Sequence, residues 1–146
     1  MNIEFDNTSG VACDQAALTS LAEFALLAMG IHEESELSIS VVNVEEMSKL
    51  HVQWMDLAGP TDVLSFPMDE LTPNSAAEGP GMVGDIVLCP EFAAKNEAQQ
   101  PLEGELALLT VHGVLHCLGF DHAEPAEEKA MFALQEKILA DWKAQR

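Results

Sequence analysis

Apolar and polar positions follow two different periodicities along the chain, and the two alternate from the first segment to the last. The pattern predicts four strands, which lie around Ile3 and Phe5, from Glu36 to Val44, from Asp62 to Phe66 with Pro67 as the stop, and from Gly84 to Cys89. It predicts five helices, which run from Asp14 to Met29, from Val44 through Trp54, from Pro90 through Ala94, across the apolar run Leu106 to Val111, and from Pro125 through Trp142. Strands separated by helices favour an α+β or α/β sheet in a single layered domain spanning residues 1–146.

Residues 68–82 interrupt this alternation with a turn-rich segment that contains Pro73, Pro80 and two glycines. A segment of this length without a periodic pattern is typical of a lid or of a disordered loop. We predict that it forms a mobile flap beside the functional site.

The charge of the chain is one-sided, because 25 acidic residues face six basic ones and the formal net charge is −19. Tight binding of nucleic acid usually relies on Lys and Arg, which release counterions from the phosphates. The composition therefore argues against tight, unaided binding of nucleic acid. It suits a basic protein partner, and it is also the composition of a highly soluble protein.

Composition also bears on where the protein is expected to reside. No apolar run is long enough to cross a membrane, and the first residues lack the basic and apolar regions of a secretory signal. The three cysteines, Cys13, Cys89 and Cys117, are scattered, so we expect reduced thiols in a cytoplasmic protein.

Three of the five histidines fall in one short stretch, between His112 and His122. On a helix, His112 and His116 project from one face about one turn apart. Gly119 is the expected helix stop, since the left-handed conformation after a helix favours glycine, and the reversed chain would carry His122 back toward that face. Three neutral imidazoles suit one tetrahedral Zn²⁺ with water as the fourth ligand. A cluster at this spacing favours metal binding over three ordinary histidines.

The spacing of the three histidines also matches the ligand frame of zinc proteases with a long motif. Those enzymes place a Glu directly after the first His as the general base, whereas this chain has Gly113 there. A glycine inside a helix is unfavourable by about 1 kcal/mol relative to alanine, so Gly113 is expected to permit close packing or close approach of a ligand. The three histidines therefore have the spacing of a metal site, but the Glu that acts as general base in the zinc peptidases is absent.

Three sequence blocks resemble those of one known family. The stretch from His112 to His122 reads HGVLHCLGFDH and resembles the signature HGxLHLxGYDH of the YbeY family, with Cys117 and Phe120 in place of the usual Leu and Tyr. The segment from Pro60 to Pro67 resembles the family's PTDVLSFP, and Gly84 to Ile86 resembles its GDI strand. The blocks keep the family's order, and the resemblance spans nearly the whole chain.

The resemblance implies a fold and a function. The fold would be a small zincin-like α+β domain, with a mixed sheet of about four strands and helices around the three-histidine metal site. The function would be that of a metal-dependent endoribonuclease that cleaves single-stranded RNA, in maturation of the 3′ end of 16S rRNA and in ribosome quality control. The acidic surface adds the expectation of a basic ribosomal protein or an assembly GTPase as partner, with no membrane and no DNA involved.

Candidate catalytic residues follow from the same blocks. Asp85 and Ser65 belong to them and are expected to line the cleft, although Asp85 could also cap a turn and Ser65 could face the core. Asp121 could orient the imidazole of the neighbouring His122, or it could be a plain turn residue. No general base is assigned. Met55 stands where the family has an Arg that is thought to serve the active site, and Arg is the natural partner of a phosphate.

Two other functions remain open at this stage. The first is a zinc-stabilised, non-catalytic ribosome assembly factor, which Met55 and the acidic composition favour. An open three-histidine frame disfavours it, because structural zinc sites normally have four protein ligands. The second is a peptidase or another metallohydrolase, and Gly113 is the main obstacle to it.

Overall fold

A four-stranded mixed sheet, in the order β1-β2-β4-β3, forms the centre of the protein. The computed structural model describes residues 1–55, 61–96 and 100–146, with side chains at all of these except 54, 55 and 96. The strands are β1 (Asn2–Asn7), β2 (Glu36–Val41), β3 (Val63–Pro67) and β4 (Met82–Leu88). The helices are α1 (Gln15–Ala28), α2 (Val44–Met55), α3 (Pro90–Ala93), α4 (Leu102–Cys117) and α5 (Pro125–Ala144). The predicted α+β fold with a four-stranded mixed sheet is confirmed.

The two faces of the sheet differ because side chains alternate along each strand. Strands β1, β2 and β4 are parallel, whereas β3 pairs with β4 in the antiparallel direction and forms one edge. Leu37, Ile39 and Val41 of β2 are buried in the main core, to which helices α1, α4 and α5 contribute. Ser38 and Ser40 lie between them in the sequence and line a cavity on the other face. We call these the inner and the outer face of the sheet.

Helix α4 lies at the centre of the packing, in contact with β3, β4, α1 and α5. Most of its residues from Leu106 to Cys117 are buried, as expected for a helix that is apolar on nearly every side. Gly113 permits this packing, because a Cβ atom at its position would lie only 2.9 Å from Cγ2 of Ile86 in β4. The glycine inside the histidine stretch thus serves close contact between helix and sheet.

Helix α2 packs on part of the outer face. A second apolar cluster joins buried residues in or next to β2, β3, β4 and α2, namely Val42, Met47, Leu64, Val87 and Cys89. The side-chain Oδ1 of Asn43 accepts a hydrogen bond of 2.8 Å from the backbone N–H of Glu46, which caps the helix, and α2 begins at Val44 as predicted. Strand β2 ends at Val41, before the predicted Val44, because the chain turns into this cap.

The segment between β3 and β4 is anchored at the end of α1. The backbone N–H of Asn74 donates to the carbonyl of Met29 at 2.8 Å, and that of Ala76 donates to the carbonyl of Gly30 at 3.0 Å. None of residues 68–82 lines the cavity that contains the three predicted histidines. Contrary to the prediction, the segment does not form a flap beside the site.

Two features named from the sequence fall outside the described residues. These are residues 58–60, which follow the predicted second helix and include the first residue of the block that resembles PTDVLSFP, and the side chain of Met55. Among the residues that the structure describes, no helix is long and apolar enough to cross a membrane.

Candidate metal centre

Helix α4 holds two of the three predicted ligands. His112 and His116 lie one turn apart on the same side of the helix, and their Nε2 atoms are 3.0 Å apart. Their ring centroids are 4.5 Å apart and the ring planes are nearly perpendicular, at 74°. The two nitrogen atoms therefore point toward one shared position.

The turn after α4 brings His122, the third predicted ligand, to the same place. Gly119 has φ +95°, and the backbone N–H of Phe120 donates to the carbonyl of Leu115 while that of Gly119 donates to the carbonyl of His116, both at 3.0 Å. This pair of hydrogen bonds is a Schellman motif, which reverses the chain after a helix. The predicted glycine stop is confirmed. The ring centroid of His122 then lies 5.4 Å from that of His112 and 5.2 Å from that of His116.

The geometry and protonation of this cluster fit a divalent metal ion. One ligand nitrogen from each of the three histidines lies within 4.8 Å of the other two. Tetrahedral zinc with Zn–N bonds of about 2.0–2.1 Å places its nitrogen ligands about 3.3 Å apart, so little movement is required. Burial is the largest cause that lowers the pKa of His112 and of His116, and nearby imidazoles lower the pKa of both further. Lowered pKa values favour neutral imidazole, which is the form that binds metal.

Gln135 of α5 orients the first histidine. Its side chain is buried, and its Oε1 contacts Nδ1 of His112. An amide oxygen can only accept a hydrogen bond, so Nδ1 of the neutral ring must carry the proton and Nε2 must carry the free lone pair. Gln135 therefore selects the tautomer in which His112 presents Nε2 to the metal position, as outer partners of metal-binding histidines usually do.

The histidines open into a cavity of about 930 Å³. Strand β3 forms one wall with Val63 and Ser65, and Phe120 and Phe132 contribute aromatic rings. Three carboxylates also line it, those of Asp62, Asp121 and Glu136. All six Lys and Arg residues of the chain lie in its described part, and none of them lines this cavity.

Two of the three candidate catalytic residues lie in this cavity. Ser65 lines it, on the wall formed by β3. Asp121 also lines it, and its Oδ1 accepts a hydrogen bond of 2.7 Å from the backbone N–H of His122. That hydrogen bond fixes the turn that carries His122; it is made to the backbone and not to an imidazole. The negative charge of Asp121 also raises the pKa of His116, against the larger effect of burial.

The third candidate, Asp85, lies elsewhere. It lines a separate cavity of about 760 Å³ on the outer face, together with Ser38, Ser40 and Lys49. The alternation along β4 explains this placement, because Ile86 faces α4 and Asp85, its neighbour in the strand, must point to the opposite face. The expectation that Asp85 lines the histidine cleft is corrected accordingly.

Sequence reasoning missed Gln135 and Phe132. Met131, Leu134, Ile138 and Trp142 are the apolar residues that recur at helical spacing in the last helix. In the structure Gln135 takes the place of Leu134 in the fully buried stripe. A glutamine four residues after Met131 and three before Ile138 was the available signal, since a polar residue within an apolar stripe needs a buried partner. No comparable signal distinguished Phe132 from an ordinary surface residue.

The three cysteines are free thiols, and the structure contains no disulfide between them. Burial raises the pKa of Cys117, next to the ligand His116, to about 12, and the charge of Asp85 contributes to this. Burial also raises the pKa of Cys13 and Cys89. These shifts favour the protonated thiol, which is the less reactive form, at neutral pH.

The four-stranded mixed sheet, together with three histidines from a helix and the turn after it, defines this chain as a small α+β protein with a candidate metal centre in an open cavity. A family model described as "Endoribonuclease YbeY" matches residues 3–143. The chain belongs to the YbeY family, as its sequence motifs predict.

Individual relatives agree with the family match. The endoribonuclease YbeY of Nocardia farcinica is 56% identical over 148 residues, which cover 97% of this chain and 80% of that protein. The endoribonuclease YbeY of Streptomyces coelicolor is 55% identical over 153 residues, which cover all of this chain and 93% of that protein. The solution structure of TM1509 from Thermotoga maritima matches with a TM-score of 0.61 and 25% identity, over 98% of this chain and 93% of the other.

Proposed function

We propose that this protein is a zinc-dependent endoribonuclease that cleaves single-stranded RNA, in maturation of the 3′ end of 16S rRNA and in ribosome quality control. One observation carries the proposal: three imidazoles lie together in an open cavity, in a chain whose relatives are called endoribonucleases. A cavity open on one side leaves room for water and for an extended substrate beside the metal position.

The residues of the chain have distinct roles in this proposal. His112, His116 and His122 would hold one Zn²⁺, and Gln135 keeps His112 in the binding tautomer. When bound, zinc lowers the pKa of a coordinated water from 15.7 to about 7 and acts as a Lewis acid toward a phosphoryl oxygen. Ser65 lies on the wall where a substrate strand would run, and it is a candidate for contact with the sugar or phosphate.

Proton transfer requires a further group. Asp121 is the candidate proposed from the sequence, and its second carboxylate oxygen is not needed for the hydrogen bond to His122. Asp62 and Glu136 line the same cavity and are alternative proton acceptors, so no single general base is assigned.

The charge of the protein bears on its partners. With a net charge of −19, the chain repels free RNA at long range. We therefore propose that a basic ribosomal protein or an assembly GTPase brings the enzyme to its RNA in the cytoplasm, and that neither DNA nor a membrane is involved.

A non-catalytic role in ribosome assembly is the second candidate. The cavity favours it in one respect, since it has three carboxylates and none of the six basic side chains of the chain. The open position beside the three histidines favours catalysis, because structural zinc sites are normally closed by a fourth protein ligand.

A peptidase is disfavoured by packing as well as by sequence. The Cβ direction at Gly113 points into Ile86, so a Glu at this position would have to enter the helix–sheet interface and could not face the cavity. The general base of the zinc peptidases therefore has no place in this fold at its usual position.

The decisive experiment compares the untagged protein with its His116→Ala variant. Metal content is measured in both, and both are assayed on single-stranded RNA, on duplex RNA and on a peptide library. We expect about one zinc per wild-type chain and cleavage of single-stranded RNA that His116→Ala abolishes. Asp69→Asn, a change of one exposed carboxylate outside the cavity, serves as the matched control and should retain activity.

Other outcomes are equally informative. Cleavage at full strength by His116→Ala would identify a contaminating nuclease. Zinc in the wild type with RNA binding but no cleavage, even with the ribosomal small subunit present, would support the assembly role and overturn the catalytic one.

A further inference from the structure

The candidate active site lacks the groups that usually bind an RNA backbone. Phosphates are normally held by Lys and Arg, yet three carboxylates and no basic side chain line this cavity. A divalent ion at the histidines would supply two positive charges against these three carboxylates. Affinity for a single strand must therefore come mainly from something other than phosphate contacts.

Aromatic rings are the alternative means of binding a single strand, because every base has a π-face that can stack on them. Phe132 meets this requirement. It projects from α5 at the rim of the cavity, 40% exposed, with its ring centroid 6.3 Å from that of His112 and 6.1 Å from that of His122. Phe120 lines the same cavity, but it is packed against the core and is less available to a ligand.

Phe132 differs in its position from the other exposed apolar residues. The structure describes five exposed large apolar side chains, Leu27, Val52, Met68, Met82 and Phe132. Of these, Phe132 alone is aromatic and alone lines the histidine cavity. Single exposed apolar residues are common on protein surfaces and carry no meaning by themselves. Here the ring lies next to two candidate metal ligands, His112 and His122.

We propose that Phe132 binds single-stranded RNA by stacking on a base next to the cleaved phosphodiester, so that this enzyme recognises its substrate through bases more than through phosphates. The proposal rests on the proposed function and specifies how that site selects its substrate. It also gives a reason for single-strand preference, since a paired base is not free to stack on a side chain. Lys129, one helical turn before Phe132 on α5, is the nearest basic residue in sequence and is the competing explanation for binding near this rim.

Binding is measured with zinc-loaded protein and two fluorescent probes of equal length, a single-stranded oligoribonucleotide and an abasic oligonucleotide with the same number of phosphates. A 2′-O-methyl backbone in both probes prevents cleavage. The variants are Phe132→Trp, which keeps a π-face, Phe132→Leu, which keeps an apolar side chain without one, and Lys129→Gln. Leu27→Ala is the control for loss of an exposed apolar side chain away from the cavity.

We expect the abasic probe to bind at least tenfold more weakly than the RNA probe. Phe132→Leu should weaken RNA binding by roughly tenfold, the size of effect found when stacking aromatics are removed, while Phe132→Trp retains it. The logarithm of the affinity should fall with the logarithm of salt concentration with a slope no steeper than about −0.7, the value for one phosphate contact. Lys129→Gln and Leu27→Ala should bind as the wild type does.

Three results would overturn the proposal: equal binding of the abasic and RNA probes, equal binding by Phe132→Leu and the wild type, or a steep salt slope that Lys129→Gln abolishes. Cleavage assays on unmodified RNA keep this test separate from that of the proposed function. Wild-type cleavage with unchanged KM in Phe132→Leu would reject base stacking alone. Base-dependent binding without any cleavage would reject the nuclease function and retain the stacking contact.

Discussion

The two faces of the sheet carry cavities of similar size, about 930 Å³ on the inner side and about 760 Å³ on the outer side, but their chemistry differs. The inner cavity combines three imidazoles and two aromatic rings with apolar residues and three carboxylates. The outer cavity is lined by hydroxyl and carboxylate groups, with Lys49 as a basic residue, and contains no histidine. The inner cavity draws on β3 alone among the strands, whereas the outer cavity draws on all four, and alternation along β3 turns Ser65 to the first and Phe66 to the second.

Different helices cover the two faces of the sheet. On the inner side, α4 and α5 deliver imidazoles and an amide to the edge of the sheet, and their burial excludes water from the rear of the histidines. On the outer side, the described part of α2 packs against one end of the sheet only, and the polar residues of β1 and β2 stay accessible. A metal centre needs oriented ligands, and within the described residues the group that could hold a metal ion is the three histidines of the inner cavity.

The largest effect is expected for the contact that joins α5 to the first ligand. Gln135→Met removes the acceptor at Nδ1 of His112 with little change of volume, and outer partners of this kind contribute about 10–100-fold to metal affinity. We expect zinc affinity to fall by that factor in a competition titration with a chromophoric chelator. Gln135→Glu keeps an acceptor at the same place and should keep the affinity.

A stability control separates this effect from damage to α5. Ile138→Ala removes a buried side chain from the same helix without touching a histidine, and it should lower the midpoint of unfolding while zinc affinity stays unchanged. Equal loss of zinc affinity in Gln135→Met and Ile138→Ala would show that Gln135 acts only through the packing of the helix.

A smaller effect is expected at the interface between α4 and the sheet. Gly113→Ala places a methyl group 2.9 Å from Cγ2 of Ile86, and overpacking of this kind typically destabilises a protein by about 1–3 kcal/mol. Urea unfolding should show this loss. In an Ile86→Ala background the same change should be much less unfavourable, because the space is then available. An equal loss in both backgrounds would mean that Ile86 is not the obstacle.

The smallest effect is expected on the outer face. Asp85→Asn removes a charge from the second cavity while the strand stays intact. We expect metal content to be unchanged and RNA cleavage by the isolated protein to remain within about twofold, the usual range for changes away from a site. A loss of tenfold or more would show that the two faces are coupled and that Asp85 contributes to the reaction after all.

The parts of the site that could be predicted from the sequence are local. His112, His116 and His122 are related by helix geometry and one glycine turn, so spacing alone brings them together. The sequence could not show which of Asp85 and Ser65 faces the histidines, because the blocks that contain them include residues of both faces of the sheet. Their placement depends on strand register and on which face the helices cover, and both are set by packing over long distances in sequence.

The contact of Gln135 with His112 could not be predicted from the sequence either. Its role depends on the position along α4 at which α5 packs. No local pattern of residues determines that position. The segment 68–82 is a further case, since its hydrogen bonds to the end of α1 join residues that are far apart in the chain. Propensity and periodicity describe each element well, but they do not describe how elements meet.

The closeness of the three ligands in sequence has a consequence for folding. The loop that a metal ion would close between His112 and His122 is short, so its closure has a small entropic cost even in an unfolded chain. A metal ion held by these histidines would therefore also bind the unfolded protein, and it would stabilise the native state only by the difference between the two affinities. We expect the ion to bind early in folding, before the parallel strands pair, because the residues that pair in these strands are distant in sequence.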